Sequence, residues 1–171
     1  MTDWSAVYRA TIADLVRYLH RKVWDEDRAR DLAQEAFTRA LDSDGGSAGL
    51  TNPRAWVFRI AANLAHDEAR TAARRRRHLT LLTVQSDAST TPDPVAEMER
   101  TARLTAARAA LEQLSDRDRE VLLLWDAGMS YTEIAHETGL SAGAVGTTLA
   151  RARRRLVEAH AGLEAKHAAR G

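Results

Sequence analysis

Residues 128–141 read GMSYTEIAHETGLS, and residues 142–156 continue as AGAVGTTLARARRRL. The spacing predicts a short helix with Ile134 and Ala135 on its inner face. A turn follows at Gly139, a residue type that accepts the positive φ of a tight bend. Ser141 then caps a second helix. This order is the layout of a helix-turn-helix, in which the second helix can lie in the major groove of DNA.

The predicted exposed side of that second helix is polar and basic. It carries Thr147, Thr148, Arg151, Arg154 and Arg155. Guanidinium and hydroxyl groups bind phosphates and can also hydrogen-bond to base edges. The C-terminal half therefore predicts binding to double-stranded DNA. The first hundred residues decide which kind of DNA-binding protein this is.

The composition narrows the possible classes of protein. A chain of 171 residues holds one domain or two small ones, and its abundance of Ala, Leu, Arg and Glu favours helices. It has no cysteine, which excludes disulfides, zinc fingers and thiol catalysis. No apolar run approaches the roughly 20 residues that span a bilayer, and the N-terminus lacks the form of a signal peptide. We expect a cytoplasmic protein without a membrane span.

The net charge is close to zero, but the charges are unevenly distributed. Residues 54–78 hold seven Arg and two acids, a balance of +5, and residues 141–171 hold six Lys/Arg and two Glu, a balance of +4. Two basic segments suggest two contacts with a polyanion. A pair of solvated helix faces would show the same pattern, so charge alone leaves both interpretations open.

Hydrophobic periodicity and capping signals predict helices along most of the chain. The apolar stripes place Trp56, Leu104 and Trp125 on inner faces, and Ser115 with Asp118 resembles a capping box. The predicted fold class is all-α. It consists of two small helical domains, residues 1–78 and 94–171, joined by a flexible linker of residues 79–93. The predicted helices cover residues 4–22, 25 to about 40, 53 to about 77, a stretch from 94, a stretch after 115, and the helix-turn-helix.

One face of the third predicted helix combines an amide with basic groups. Asn63, Asp67, Arg70 and Arg74 follow each other at i, i+4, i+7 and i+11, so they share that face. Arginines can follow a phosphate backbone, and an asparagine can hydrogen-bond to a base edge. A merely solvated arginine face is the simpler alternative.

The second predicted helix has a polar side with Asp31, Gln34 and Glu35. Carboxylates at i and i+4 could serve catalysis or bind a metal, but they more often form an ordinary solvated face. No histidine or further acid stands at a compatible spacing. The chain also lacks a glycine-rich phosphate loop and a nucleophile elbow. We therefore expect no enzymatic activity, no metal and no cofactor.

Taken together, three segments resemble a bacterial extracytoplasmic-function (ECF) sigma factor of the small two-domain type. Residues 25–40 resemble region 2.2 of that family, residues 52–70 resemble regions 2.3 and 2.4, and residues 111–124 open region 4, which the helix-turn-helix completes. The resemblance covers about residues 4–157. It implies a sigma subunit whose partners are core RNA polymerase and promoter DNA. An anti-sigma factor is common in the family, although nothing in this chain identifies one.

The resemblance also implies roles for individual residues. Those matching the motif that docks on the clamp helices of polymerase are Asp31, Gln34 and Glu35. Asn63 matches the position that helps hold a flipped base of the −10 element, beside a pocket shaped by residues 44–50. Candidates for phosphate contacts on the opened strand are Arg59, Arg70 and Arg74 to Arg77, and Asp67 shares the face of Arg70 and Arg74. Those matching the −35 contacts are Ser141, Thr147, Thr148 and Arg151, with Arg154 and Arg155 on phosphates.

Two positions depart from the family pattern. Gly146 stands where the family usually has Lys or Arg, which predicts weaker or differently specified −35 binding. Trp24 stands at a position that is often glycine. The alternative to a sigma factor is a helix-turn-helix regulator that acts as a dimer and uses its first half as a sensor or dimerisation module. Such a regulator has no reason to combine the Asp31 face with the Asn63 face.

Overall fold

The computed structural model describes residues 2–44, 51–78 and 94–169. Within these ranges it consists of seven α-helices and contains no strand, which confirms the predicted all-α class. The predicted linker of residues 79–93 and the loop of residues 45–50 lie outside the described residues. None of the described helices is long and apolar enough to cross a membrane. The helices are α1 (Trp4–Val23), α2 (Glu26–Asp44), α3 (Pro53–His78), α4 (Pro94–Glu112), α5 (Asp116–Asp126), α6 (Tyr131–Thr138) and α7 (Ala142–Ala168).

The first three helices pack against each other in one unit. Alanines line the inner side of α2, where Ala29, Ala33 and Ala36 are completely buried, so the neighbouring helices can approach closely. Phe58 of α3 is also completely buried and meets the ring of Tyr18 edge-on at a centroid distance of 5.5 Å. These contacts fix α3 against α1 and leave the opposite side of α3 exposed.

The turn between α1 and α2 contains a residue in a conformation that favours glycine. Trp24 has φ 58° and ψ 28°, and its N–H donates to the His20 carbonyl at 2.7 Å, which closes the C-terminus of α1. The left-handed region is costly for an indole-bearing residue. The Trp24 ring compensates through an edge contact with His20 and a contact with the Arg108 guanidinium of α4 at 5.8 Å.

The second unit contains α4 to α7, and local chemistry explains its turns. Gly139 ends α6 with φ 68°, and the Ser141 hydroxyl accepts a hydrogen bond from the Ala144 N–H at 3.2 Å, as expected for the helix-turn-helix. Ile134 and Ala135 are buried, which confirms their predicted inner position. A complete capping box between Ser130 and Glu133 starts α6, a signal that the sequence analysis did not use.

Two residues predicted on inner faces lie on the surface. Leu104 and Trp125 are exposed, whereas Trp56 is half-buried and packs against the core, in agreement with its predicted inner position. The Trp125 ring lies on the surface under the Arg153 guanidinium, 3.9 Å from its centroid. The spacing of apolar residues predicts which side of a helix faces the core. How much of that side becomes buried depends on the helices that pack against it, which the spacing does not reveal.

Candidate nucleic-acid interfaces

The predicted polymerase-docking face lies on the outer side of α2. Asp31 and Gln34 are exposed, whereas Glu35 is half-buried and pairs with Arg39 at 2.6 Å. Arg28, on the same side, donates to Glu68 of α3 at 2.7 Å. That hydrogen bond is the main reason why the pKa of Arg28 is raised, and the nearby Asp31 and Glu35 carboxylates raise this pKa further. The cations near this face are thus partly neutralised by acids, and the face carries a net acidic character.

The predicted −10 face lies on the exposed side of α3. Asn63, Asp67 and Arg70 are all exposed there, and the buried Leu64 and Ala65 hold the opposite side against the domain core. The backbone of Arg74 continues the same helix, but its side chain lies outside the described residues. The structure therefore brings together the amide, the acid and the first arginine of the predicted row.

Arg59 lies one turn before this row on α3, and its guanidinium contacts side chains of the second unit. Its Nε donates to Glu137 Oε1 at 3.2 Å, and its Nη2 lies 2.8 Å from the ring nitrogen Nδ1 of His136. Both partners belong to α6, the first helix of the helix-turn-helix. A candidate phosphate ligand of the first unit thus binds a carboxylate of the second unit in this state.

Further hydrogen bonds and ion pairs join polar side chains of the first unit to the second unit. The Tyr18 hydroxyl donates to Glu120 at 2.5 Å, and Lys22 forms an ion pair with the same carboxylate. Burial raises the pKa of Tyr18 well above its usual value, and the charge of Glu120 adds to the effect. Arg54 donates to the carbonyls of Ala127 and Gly128, the latter at 3.1 Å. We call these contacts and those of Arg59 the interdomain contact.

The acidic partners in the interdomain contact come from the second unit. Arg17 and Arg21 of α1 lie 3.8 and 3.9 Å from Asp126, and the Asn52 amide donates to Glu133. Sequence reasoning did not identify this contact, because the paired residues lie about 70 to 110 positions apart. The available signal was the complementary charge of α1 and the start of α3 against the acids of α5 and α6.

The second helix of the helix-turn-helix presents only part of its predicted −35 set. Ser141 and Thr147 are exposed at and near its N-terminus, Arg154 and Arg155 are exposed further along, and Arg151 is half-buried. The prediction that Thr148 lies on the exposed side is wrong, because Thr148 is 5% exposed. Helix α7 packs on α4, α5 and α6 at the same time, so its buried arc is wide. A Cβ at Gly146 would lie 3.5 Å from the Tyr131 ring, an ordinary contact that leaves room for a side chain.

Asp118 of α5 is completely buried and engages two arginines of α7. Arg151 Nη2 donates to Asp118 Oδ1 at 2.5 Å, and Arg155 Nη1 donates to Oδ2 at 2.7 Å. The hydrogen bond from Arg151 is the main cause that lowers the pKa of the Asp118 carboxyl, against the opposing effect of burial. The Ser115 hydroxyl accepts from the Asp118 N–H at 3.2 Å, but the Asp118 carboxylate turns to the arginines, so only half of the predicted capping box forms.

The ion pairs of Asp118 predict an acid-sensitive contribution to stability. Because the folded-state pKa of Asp118 is lowered, this contribution is complete well above the ordinary pKa of about 3.9 and is lost as the pH falls through the lower folded-state value. Asp118→Asn is expected to cost about 2 kcal/mol at pH 7 and to weaken the decline of stability between about pH 5 and pH 3. Urea unfolding followed by circular dichroism at several pH values measures both effects.

Asp116→Asn is the matched control for this change. Asp116 lies two residues earlier in α5, and its side chain is 97% exposed. The control is expected to behave like the unmodified protein. If both variants show the same loss of stability, the buried ion pairs of Asp118 do not stabilise the domain.

Comparison with known proteins agrees with the geometry of both units. The family model "Sigma-70 region 2" matches residues 7–75, and "Sigma-70, region 4" matches residues 104–156. The chain is 30% identical over 148 residues to RNA polymerase sigma factor YlaC of Bacillus subtilis, covering 86% of each chain. It is 35% identical over 133 residues to ECF RNA polymerase sigma factor EcfG of Rhodopseudomonas palustris, covering 76% of this chain and 70% of EcfG.

A helical unit that matches sigma-70 region 2, followed by a helix-turn-helix unit that matches region 4, defines the class of sigma-70-type initiation factors. The matched family models and relatives place this chain in one branch of it: the protein belongs to the ECF sigma factors of bacterial RNA polymerase. As such it directs promoter recognition and transcription initiation. The alternative of a dimeric helix-turn-helix regulator is not favoured, because the region 2 match covers most of the first unit.

Two solved structures share this fold. The sigma factor RpoE in complex with the anti-sigma factor NepR from Bartonella quintana aligns with a TM-score of 0.69 and 24% identity, covering 93% of this chain and 97% of RpoE. CnrH in complex with the cytosolic domain of CnrY aligns with a TM-score of 0.64 and 25% identity, covering 95% of this chain and 88% of CnrH. Both alignments extend over the two helical units.

Proposed function

We propose that this sigma factor makes its contacts through three separate surfaces. The α2 face with Asp31, Gln34 and Glu35 docks on core polymerase, the α3 face around Asn63 holds the opened −10 strand, and α7 approaches the −35 element. The observation that carries the proposal is the exposed row of Asn63, Asp67 and Arg70 on a helix that is anchored in a buried core. An amide flanked by a cation on a rigid helix suits a single strand whose bases are accessible.

The two DNA contacts would act together through the segment between the domains. We assign residues 1–78 to the first domain, 94–171 to the second, and 79–93 to the linker. Tethering two modest contacts raises the effective concentration of the second contact once the first is made. The chain would act in the cytoplasm, together with polymerase, and would carry out no covalent chemistry and use no cofactor.

On the −35 side, we propose Ser141, Thr147 and Arg154 as the main DNA contacts. Their exposure supports this choice, and the burial of Thr148 removes it from the set. Gly146 provides neither a cation nor helix propensity at its position. We therefore propose that −35 binding is weak relative to the −10 contact. The roles of Arg151 and Arg155 depend on their ion pairs with Asp118.

We also infer that an anti-sigma factor is among the partners of this chain. One solved structure that shares its fold is a complex of the sigma factor RpoE with the anti-sigma factor NepR, and another is a complex of CnrH with the cytosolic domain of CnrY. The second unit also has an apolar groove of about 490 Å³ between α4, α5 and α7, lined by Leu111, Leu122, Leu156 and Val157. An uncovered apolar surface of this kind is typical of a protein-binding site.

The test of the proposed function is reconstitution with sigma-free core polymerase. The purified chain is expected to form a one-to-one complex with core on a sizing column, and the complex is expected to select promoter duplexes from a randomised library. Core that selects the same duplexes without the chain would contradict the proposal. A stable dimer of the chain that binds duplex DNA without core would instead support the regulator.

Asn63→Ala is expected to impair promoter opening by about 10-fold or more while leaving core binding unchanged. Flipping a base costs a few kcal/mol of stacking, and the loss of its amide contact removes part of the compensation. Permanganate reactivity of unpaired thymines in the −10 region measures opening on the selected duplex. Gln113→Ala removes an exposed amide from the second domain and serves as the control. Normal opening by Asn63→Ala would show that Asn63 does not contact a base.

A further inference from the structure

The arginines of α7 differ in what they contact. Arg151 and Arg155 bind the buried Asp118 carboxylate, and Arg153 lies over the Trp125 ring. Both Asp118 and Trp125 belong to α5. Arg154 is 72% exposed and its contact with Glu158 is long, at 3.9 Å, whereas Arg151 and Arg155 are 42% and 50% exposed and each makes a short contact with Asp118. A face that the sequence presents as uniformly basic is therefore divided between cations in short contact with α5 and one cation, Arg154, whose ion pair is long.

The geometry at Asp118 is that of a strong ion pair. Arg151 donates through Nη2 to Oδ1 at 2.5 Å and through Nε to Oδ1 and Oδ2 at 3.2 and 3.3 Å, while Arg155 occupies Oδ2 at 2.7 Å. Guanidinium forks that meet a carboxylate in this way are more tightly held than single contacts. A phosphate that captured Arg151 would leave a buried carboxylate with fewer partners, which is strongly unfavourable.

We infer that Asp118 is a positioning residue for −35 recognition: it holds Arg151 and Arg155 against α5 and withholds their charge from DNA phosphates. The inference rests on the proposed role of α7 in duplex binding and deepens it. Arg154 becomes the main phosphate ligand of the helix, while Thr147 is left exposed towards the groove. Together with Gly146, this arrangement gives α7 a low effective charge towards DNA.

The salt dependence of DNA binding distinguishes an arginine that contacts a DNA phosphate from one that stays paired with Asp118. Each phosphate contact adds about 0.9 to the slope of log K against log salt concentration. The probe is a promoter duplex selected by the reconstituted holoenzyme. Arg154→Ala is expected to flatten the slope by about 0.9, whereas Arg151→Ala is expected to leave it unchanged. Asp118→Asn is expected to steepen the slope by up to about 1.8, because two guanidinium groups become available.

These outcomes identify which part of the argument fails. If Arg151→Ala flattens the slope as much as Arg154→Ala does, the inference is overturned, but the proposed −35 role of α7 remains. Unchanged slopes for both arginine variants overturn that role together with the inference. If Asp118→Asn only loosened the domain, it would weaken binding without steepening the slope, and this result would also overturn the inference. The two arginine variants keep the test decisive even where Asp118→Asn folds poorly.

Discussion

Replacing Asp31 and Glu35 together by arginine is expected to abolish the binding of this sigma factor to core RNA polymerase. Both carboxylates lie on the outer side of α2, and the cations near them already have acidic partners, such as Glu68 for Arg28. Reversing two charges at a complementary interface replaces attraction with repulsion. We expect a loss of affinity of about 100-fold or more, measured by co-elution with core on a sizing column and by titration with labelled chain.

The fold is expected to survive this change, because neither side chain contributes to the buried core of the first domain. Circular dichroism should show unchanged helix content. Glu158→Arg with Glu164→Arg is the matched control, since it makes the same change of charge at two exposed positions of α7. Normal core binding by the Asp31 and Glu35 variant would place the docking surface elsewhere on the chain.

Glu120→Lys is expected to separate the two domains of the free protein. The Glu120 carboxylate accepts a hydrogen bond from the hydroxyl of the completely buried Tyr18. It also forms an ion pair with Lys22, which is itself mostly buried. A lysine at this position would meet Lys22 and leave the Tyr18 hydroxyl without its acceptor. Hydrogen bonds to charged groups contribute about 1.5–3 kcal/mol, so the ratio of closed to open molecules is expected to fall by about 10- to 100-fold.

Small-angle scattering measures this effect as an increase in the radius of gyration. Glu99→Lys, an equal change of charge at an exposed position of α4, is the control and should stay compact. Glu120→Gln keeps an acceptor for Tyr18 but loses the ion pair, so we expect an intermediate result. If Glu120→Lys is as compact as the unmodified protein, the ion pairs of the interdomain contact do not hold the domains together.

Opening would also change what the first domain can bind. Arg59 is occupied by Glu137 and His136 in the closed arrangement, whereas Asn63 and Arg70 are exposed. Separation of the domains would release Arg59 at the start of the row that we propose for the −10 strand. Glu120→Lys is therefore expected to raise the affinity of the free chain for single-stranded −10 DNA.

The sequence predicted the features that depend on neighbouring residues. Gly139 with Leu140 and Ser141 defines the turn of the helix-turn-helix, because a positive φ and a cap are local requirements. Asn52 and Pro53 likewise predicted the start of α3, where the Asn52 side chain accepts from the Ala55 N–H at 2.9 Å. The exposed positions of Asp31, Gln34 and Asn63 followed from helical periodicity alone.

The features that the sequence could not provide join distant residues. Periodicity places Arg151 on the outer side of α7, but the long side chain reaches back to a carboxylate 33 positions earlier. Thr148 is buried because α7 contacts several helices at once, and the spacing of its own apolar residues does not contain that information. The contact between Tyr18 and Glu120 spans 102 positions and depends on how the domains meet.

Trp24 has a consequence for how the protein can be observed. Its indole ring lies in the first domain, while the guanidinium 5.8 Å from the ring belongs to Arg108 in the second. Indole fluorescence responds to nearby charge and to water, so its emission wavelength and intensity should change when Arg108 moves away. With Trp4, Trp56 and Trp125 replaced by phenylalanine, Trp24 would act as a built-in fluorophore. Its fluorescence would show in real time when polymerase, DNA or an inhibitor separates the two domains.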